Sequence, residues 1–499
     1  MSRRAKTDNV QKRQRASRAC DFCHTRGLKC RWGASDSNCG PSTCLTCVDY
    51  GVRCKIDRPI RKRGRKPILR RTSEIAEPVD LEQYSDEGMA YESGDFEARS
   101  DAPSVTYDFR SPSFVQRLVR IYCDTMYQCY FPFLPKRELL TRWQTDLSAP
   151  EGPSYILLMA ICAVSCQTAS LDAVFDHALL DGLSLPGSEQ YFSEAVSKIP
   201  SRIEQTEDLD YLRAMGLLAV YSLQRGSHND LHRYLGLYHA LVAQHSFHDE
   251  SRWPKDLSMT DIDDRRRLFW CVYRLEVHSA CVLGHVVRLP EAQVSVLYPR
   301  ILPSMEPETQ LWTAGWDYIT DLFRLLEYAI FSLRGCKIRK AVLSVFCERP
   351  SPTTLLDGLA RLRSSKPRML QEPDSMTQSN RCRYMAIQIT CTETLVNIMA
   401  LLYCQAPTSE IMTITEGLIE EMEKASLIMF KVAGSQIVHQ LLGVGHMLFS
   451  ASRYEHDTQR AEAERLILFL GDLVKNLEHD IPSASEAGDR LQRLARVHV

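Results

Sequence analysis

Seven cysteines lie between Cys20 and Cys54, and six of them form an internal repeat. The segments CDFCHTRGLKC and CLTCVDYGVRC share the spacing C-x2-C-x6-C, and Gly27 of the first corresponds to Gly51 of the second. Cys39, in the stretch CGPSTCLTC, has no counterpart in the repeat. The N-terminal part of the chain is therefore predicted to fold around a duplicated cysteine unit, with one cysteine to spare.

The spacing of the repeat favours a metal centre. A C-x2-C turn lets two thiolates hold one ion, and zinc takes four such ligands in a tetrahedron. Each half supplies three sulfurs, so two tetrahedra are complete only if one sulfur from each half bridges both ions. The pseudo-symmetry assigns the bridges to Cys20 and Cys44. We predict two zinc ions per chain, with these ligands: Cys20, Cys23, Cys30, Cys44, Cys47 and Cys54.

Different ligand sets and different kinds of site fit the cysteines less well. Cys39 could replace Cys44 as a ligand, but the C-x2-C turn would then be lost. RING and LIM sites need eight ligands that usually include histidines, and His24 is the only histidine nearby. A disulfide framework is typical of oxidising compartments. The N-terminus has no apolar core of the kind that signal peptides carry, so we expect an intracellular protein.

Residues 20–54 resemble the fungal Zn2Cys6 binuclear cluster family of transcription factors. The six cysteines in register, the flanking RASRACDFC and GLKC, and Pro41 before the fourth ligand carry the resemblance. The loop RWGASDSNCGPST is at the long end of what that family shows. Members often carry a basic pair before xKC, and here the pair is Arg26-Gly27, so base readout would shift to Arg26 or Lys29. The resemblance implies zinc-dependent binding to double-stranded DNA at CGG-like triplets.

Basic side chains near the cysteines are the candidates for DNA contacts. Arginine and lysine donate to guanine in the major groove, whereas contacts to phosphate orient a module without specifying sequence. Each side chain alone could equally be a solvated surface charge. The candidates in and around the cysteine unit are Arg18, His24, Arg26, Lys29, Arg31 and Arg53.

Charge is divided unevenly along the chain. Residues 1–71 carry 20 lysines and arginines against 5 acidic residues, and residues 55–71 alone hold nine basic residues, Lys55 included. This density is typical of a nuclear import signal and of an arm that follows a nucleic-acid backbone. Arg63 and Arg65 in RGRKP resemble an AT-hook core and could enter the minor groove. A solvated linker that also serves nuclear import is the alternative.

The rest of the chain is predicted to be a linker followed by a large all-α domain. Residues 74–108 hold 11 acidic residues and one basic residue with no heptad pattern, which indicates disorder without a coiled coil. Apolar residues then recur at helical spacing. Four regions result: a basic N-terminus (1–17), the zinc module of two short helices (18–56), a basic then acidic linker (57–112) and the helical regulatory domain (113–499).

One segment of the helical domain carries a second resemblance. The string DRRRLFWCVYRLE…LGHVVRLPE, within residues 259–291, resembles the fungal-specific transcription factor domain that accompanies the zinc cluster. Thr260 is predicted to cap its helix. Leu268, Val272 and Leu275 should share one face, and Arg265–Arg267, Trp270 and His285 should serve packing and surface pairing.

No catalytic motif stands out, so we do not expect an enzyme. The chain lacks a G-x-S-x-G elbow, a Walker loop and an H-E-x-x-H pair. The apolar run YILLMAICAVSC from Tyr155 is shorter than the ~20 residues of a membrane span, so no membrane partner is expected.

The sequence as a whole predicts a nuclear, DNA-binding regulator of RNA polymerase II transcription. Activation is the usual outcome in the family that the chain resembles. The protein would act with the transcription machinery or co-regulators, as a monomer or as a homodimer through the helical body. The alternative is a zinc-stapled interaction scaffold without sequence-specific DNA binding.

Overall fold

In the computed structural model the chain divides into two compact units, Met1–Ala76 and Glu77–Val499. The described residues are 20–25, 30, 44–49, 52–55, 108–183, 185–202, 208–335, 352–367, 370 and 379–496. The predicted linker therefore lies almost entirely outside the described residues. Each unit has its own buried cluster, one built of cysteines and the other of apolar side chains from the helices.

All the regular secondary structure in the described residues is helical. The first unit holds α1 (Asp21–Thr25) and α2 (Leu45–Asp49). The second holds α3 (Pro112–Asp124), α4 (Met126–Cys129), α5 (Lys136–Ser148), α6 (Pro153–Ser170), α7 (Ser188–Ser197), α8 (Leu209–Gln224), α9 (His228–Gln244), α10 (Met259–Leu283), α11 (Pro307–Gly335), α12 (Pro352–Ser364), α13 (Asn380–Cys404), α14 (Thr408–Lys424), α15 (Leu427–Ala433), α16 (Ser435–Ser452), α17 (Asp457–Lys475) and α18 (Pro482–Arg496). The prediction of a large all-α body is confirmed; the only extended pairing described is an isolated bridge between Asp249 and Ser295.

Two helices, α6 and α13, each pack against several other helices of the body. Helix α6 packs against α3, α5, α7 and α8, while α13 packs against α11, α12, α14 and α16. Helix α10 contacts α8, α11 and α16, so it joins the two groups of helices. Both α6 and α13 are largely apolar and bury most of their residues, as expected of helices surrounded by other helices.

The two central helices also meet the length and composition of membrane spans. Helices α6 and α13 are long and apolar enough to cross a bilayer, and the bent pair α15–α16, with 95° between its parts, would add a third span. The expectation that every apolar segment is too short was therefore wrong on length. Within the helical body, 83% of the apolar window of α6 and 78% of that of α13 are buried.

The start of α10 differs from the predicted one. Ser258, and not Thr260, is the N-cap: its Oγ accepts the backbone N–H of Asp261 at 3.2 Å, and Asp261 Oδ2 accepts the Ser258 N–H at 3.2 Å. This reciprocal capping box satisfies two backbone donors at once, which Thr260, already within the first turn, cannot do. The predicted apolar face is present, because Leu268, Val272 and Leu275 are all buried.

The basic run on α10 serves packing, as expected, but one of its members is buried. Arg266 is 5% exposed and pairs with Glu250 and with Asp263. The indole N–H of Trp270 donates to the Leu297 carbonyl at 3.0 Å. These contacts fix the segment that follows α10 along the side of the helix.

Candidate metal centre

The two short helices bring the repeated cysteines together. Cys20 directly precedes α1, which contains Cys23; Cys44 directly precedes α2, which contains Cys47. The four sulfurs belong to residues with no solvent exposure. The same local fold thus occurs twice, as the sequence repeat requires.

The sulfurs form two groups of four that share two members. One group is Cys20, Cys23, Cys30 and Cys44; the other is Cys20, Cys44, Cys47 and Cys54. Within each group all sulfurs lie within 4.8 Å of one another. Cys20 and Cys44 belong to both groups, and they are the residues for which the sequence repeat predicts a bridging role.

The sulfur–sulfur distances fit tetrahedral thiolate sites. Metal–sulfur bonds of about 2.3 Å in a regular tetrahedron give sulfur–sulfur edges of about 3.8 Å. The Sγ atoms of Cys20 and Cys44 are 3.9 Å apart, those of Cys23 and Cys44 are 3.7 Å apart, and those of Cys20 and Cys47 are 3.5 Å apart. A disulfide needs about 2.05 Å, so these pairs are not disulfides. The donor set suits a soft divalent ion such as zinc.

Backbone amides support the shared sulfurs. The N–H of Cys23 donates to Cys20 Sγ at 3.4 Å, and the N–H of Cys20 donates to Cys30 Sγ at 3.2 Å. In the second half, the N–H of Cys47 donates to the Cys44 carbonyl at 3.0 Å. The Asp21 N–H donates to the Lys55 carbonyl at 2.8 Å, which ties the two halves together.

The thiols of the centre differ in acidity according to these contacts. Burial raises the pKa of every thiol in the set, and hydrogen bonds oppose it at some of them. For Cys20, the bonds from the Cys23 amide and from neighbouring thiols outweigh burial and lower the pKa to about 6. The pKa of Cys44 is also lowered, since the Cys47 amide bond and neighbouring thiols outweigh burial. Burial dominates at Cys23 and raises its pKa to about 12. The two shared sulfurs are thus the ones most readily held as thiolates.

Only two of the predicted DNA-contacting residues fall in the described part of the chain. His24 on α1 and Arg53 are both exposed, as a contact to a polyanion requires. The remaining candidates, together with the spare Cys39, lie outside the described residues. They are Arg18, Arg26, Lys29, Arg31, Arg63 and Arg65.

The helical body brings together buried polar residues that the sequence did not single out. His278 of α10 and His439 of α16 are buried with ring centroids 6.3 Å apart, and His228 of α9 lies 6.1 Å from His439. These residues are far apart in the chain and follow no motif spacing. No sequence signal could have grouped them, because tertiary packing alone makes them neighbours.

Comparison with known proteins addresses the body of the chain. Residues 119–354, which include the α10 segment, match the family model of the fungal specific transcription factor domain. Pyrimidine pathway regulatory protein 1 of Saccharomyces cerevisiae is 28% identical over 112 residues, covering 22% of this chain and 12% of the yeast protein. No solved structure matches the chain. Over residues 119–354 the helical body of this chain is thus similar to the fungal specific transcription factor domain, and this similarity supports a role in transcription regulation.

Proposed function

We propose that this chain is a sequence-specific, zinc-dependent DNA-binding regulator of RNA polymerase II transcription. The observation that carries the proposal is the pair of four-sulfur groups sharing Cys20 and Cys44, in a chain whose residues 119–354 match the fungal specific transcription factor domain. Six cysteines supply eight ligand positions in this arrangement, which two tetrahedral ions need. The same chain thus combines a candidate DNA-binding module with a regulatory body.

The metal is proposed to act through structure alone. Zinc bound to these thiolates would crosslink the two halves of the repeat and add no catalytic step. The basic side chains would then do the binding. Arg26 or Lys29 would donate to base edges in CGG-like triplets, while Arg18, Arg31 and Arg53 would neutralise phosphates.

The organisation of the chain follows from this assignment. We propose a nuclear protein whose basic arm, with Arg63 and Arg65, serves import and contacts the DNA backbone. The helical body would act as the regulatory domain, recruit the transcription machinery or co-regulators, and favour activation. The proposed boundaries are 1–17 for the basic N-terminus, 18–56 for the zinc module, 57–112 for the linker and 113–499 for the regulatory domain.

Selection of double-stranded DNA by the full chain tests this function. We expect enrichment of sites with CGG-like triplets, and an affinity that falls steeply as salt rises, because the basic side chains displace counterions from phosphates. An Arg26→Ala, Lys29→Ala double variant should lose the enriched motif while keeping its metal. If the zinc-loaded chain enriches no motif, the scaffold alternative is favoured instead.

A further inference from the structure

A small, partly open cavity in the helical body is lined by residues of α10, α11, α13 and α16. Its volume is about 30 Å³, and the polar side chains around it include Arg274, Trp316, Gln388 and Gln436. Apolar side chains, among them Phe323, complete the wall. A space of this size holds about two water molecules or one carboxylate group.

Arg274 brings a positive charge to the cavity wall without a carboxylate partner. Its guanidinium carbon lies 4.4 Å from the centroid of the Trp316 ring, so the two planar groups stack. Among the residues that the structure describes, no carboxylate oxygen lies within the 4.0 Å of an ion pair with Arg274. Its one hydrogen bond described is a long one, 3.8 Å to the sulfur of Cys271. Guanidinium groups favour planar oxyanions, which they bind with two parallel hydrogen bonds.

Two further donors on the cavity wall have no protein partner. The indole Nε1–H of Trp316 and the Nε2–H of Gln388 are buried and unpaired, and the two residues are 2% and 4% exposed. A buried donor without a partner costs about 1–3 kcal/mol. Gln436 adds one unpaired acceptor, its Oε1. Three donor groups around one small space favour an occupant that accepts several hydrogen bonds.

The nearby acid does not cancel the charge of Arg274. Asp317 follows Trp316 in the chain, and its Oδ1 has no hydrogen-bond partner. Burial, reinforced by Asp321, raises the pKa of the Asp317 carboxyl to about 7, against the lowering effect of Arg274. Burial therefore favours the neutral form of Asp317, which weakens its interaction with Arg274.

We propose that this cavity is a binding site for the carboxylate group of a small organic acid. The carboxylate would pair with the Arg274 guanidinium and accept the N–H groups of Trp316 and Gln388. A hydroxyl on the ligand could donate to Gln436. The site is assigned from the cavity and its donors, so it does not depend on whether the first unit binds DNA.

Occupancy of this site would tie together helices from different parts of the body. Arg274 belongs to α10 and Trp316 to α11, both inside the matched domain, whereas Gln388 belongs to α13 and Gln436 to α16. A ligand that binds all four helices stabilises this packing relative to any in which they separate. Binding of a small acid at this site would therefore change the stability of the helix packing in the regulatory body.

Thermal unfolding of the full chain in sodium acetate, against sodium chloride at equal concentration and pH, tests the site. Acetate should raise the melting temperature by about 2 °C or more beyond chloride. Arg274→Gln should abolish this increment. Gln388→Met keeps the shape of the side chain and removes the donor, so it should reduce the acetate increment. This second variant provides the test if Arg274→Gln does not fold.

Arg381 provides the matched control, since its guanidinium carbon stacks 4.5 Å from the Trp312 ring but the side chain does not line the cavity. Arg381→Gln should keep the acetate increment. The proposal is overturned if the parent protein shows no increment. It is equally overturned if the increment survives in both cavity variants, since acetate would then act as a general salt.

Discussion

At the scale of single residues, buried histidines tie the stability of the body to pH. Burial, with a contribution from His439, lowers the pKa of His278 to about 3. Both ring nitrogens of His278 are buried without a partner. An unfolded histidine titrates near pH ~6.5. Below that pH the unfolded chain binds a proton that the folded chain does not bind, so stability falls as the pH falls and is fully present above it.

Replacement of His278 should therefore make the protein less sensitive to acid. Between ~pH 7.5 and ~pH 5 the parent should lose about 2 kcal/mol through this residue, and His278→Gln should not lose that amount. Urea unfolding of both proteins at the two pH values measures the difference. His479, whose side chain is 90% exposed, supplies the control, and His479→Gln should behave like the parent. Equal acid sensitivity in the parent and in His278→Gln would refute the prediction.

At the scale of elements, the cap of α10 can be tested directly. Ser258→Ala removes the hydroxyl that accepts the Asp261 N–H and should cost about 1 kcal/mol of stability. Thr260→Ala, at the exposed position that sequence alone suggested as the cap, should cost clearly less. Chemical denaturation of the two variants gives the comparison. A larger loss for Thr260→Ala would contradict the capping box.

Sequence patterns predicted which segments are helical better than where helices begin and end. Apolar residues at helical spacing predict a helical body, and helices such as α9 and α17 bury one apolar face as this spacing requires. The spacing does not show that α3 ends before Thr125, whose hydroxyl donates to the Ile121 carbonyl at 2.9 Å, and that α4 begins directly after it. The largely apolar composition of α6 and α13 indicates that both are buried, but the neighbours that surround them are set by tertiary packing.

At the scale of the whole molecule, the candidate metal centre and the cavity differ in how far sequence reveals them. The ligand set of the centre is encoded locally, because C-x2-C-x6-C places three sulfurs within one short segment and the segment is repeated. No short sequence segment supplies the residues that line the cavity. Arg274 and Gln436 are far apart in sequence, and only the fold makes them neighbours. A site whose residues come from helices that are distant in sequence can therefore be recognised only from the structure.

Zinc analysis of the purified full chain tests the proposed binuclear centre. We expect two zinc ions per chain, because two four-sulfur groups share Cys20 and Cys44. Cys39→Ser should keep both ions, and Cys44→Ser should lose metal, since its sulfur belongs to both groups. One ion or none in the parent protein, or metal lost from Cys39→Ser and kept by Cys44→Ser, would rule out a binuclear centre that shares Cys44.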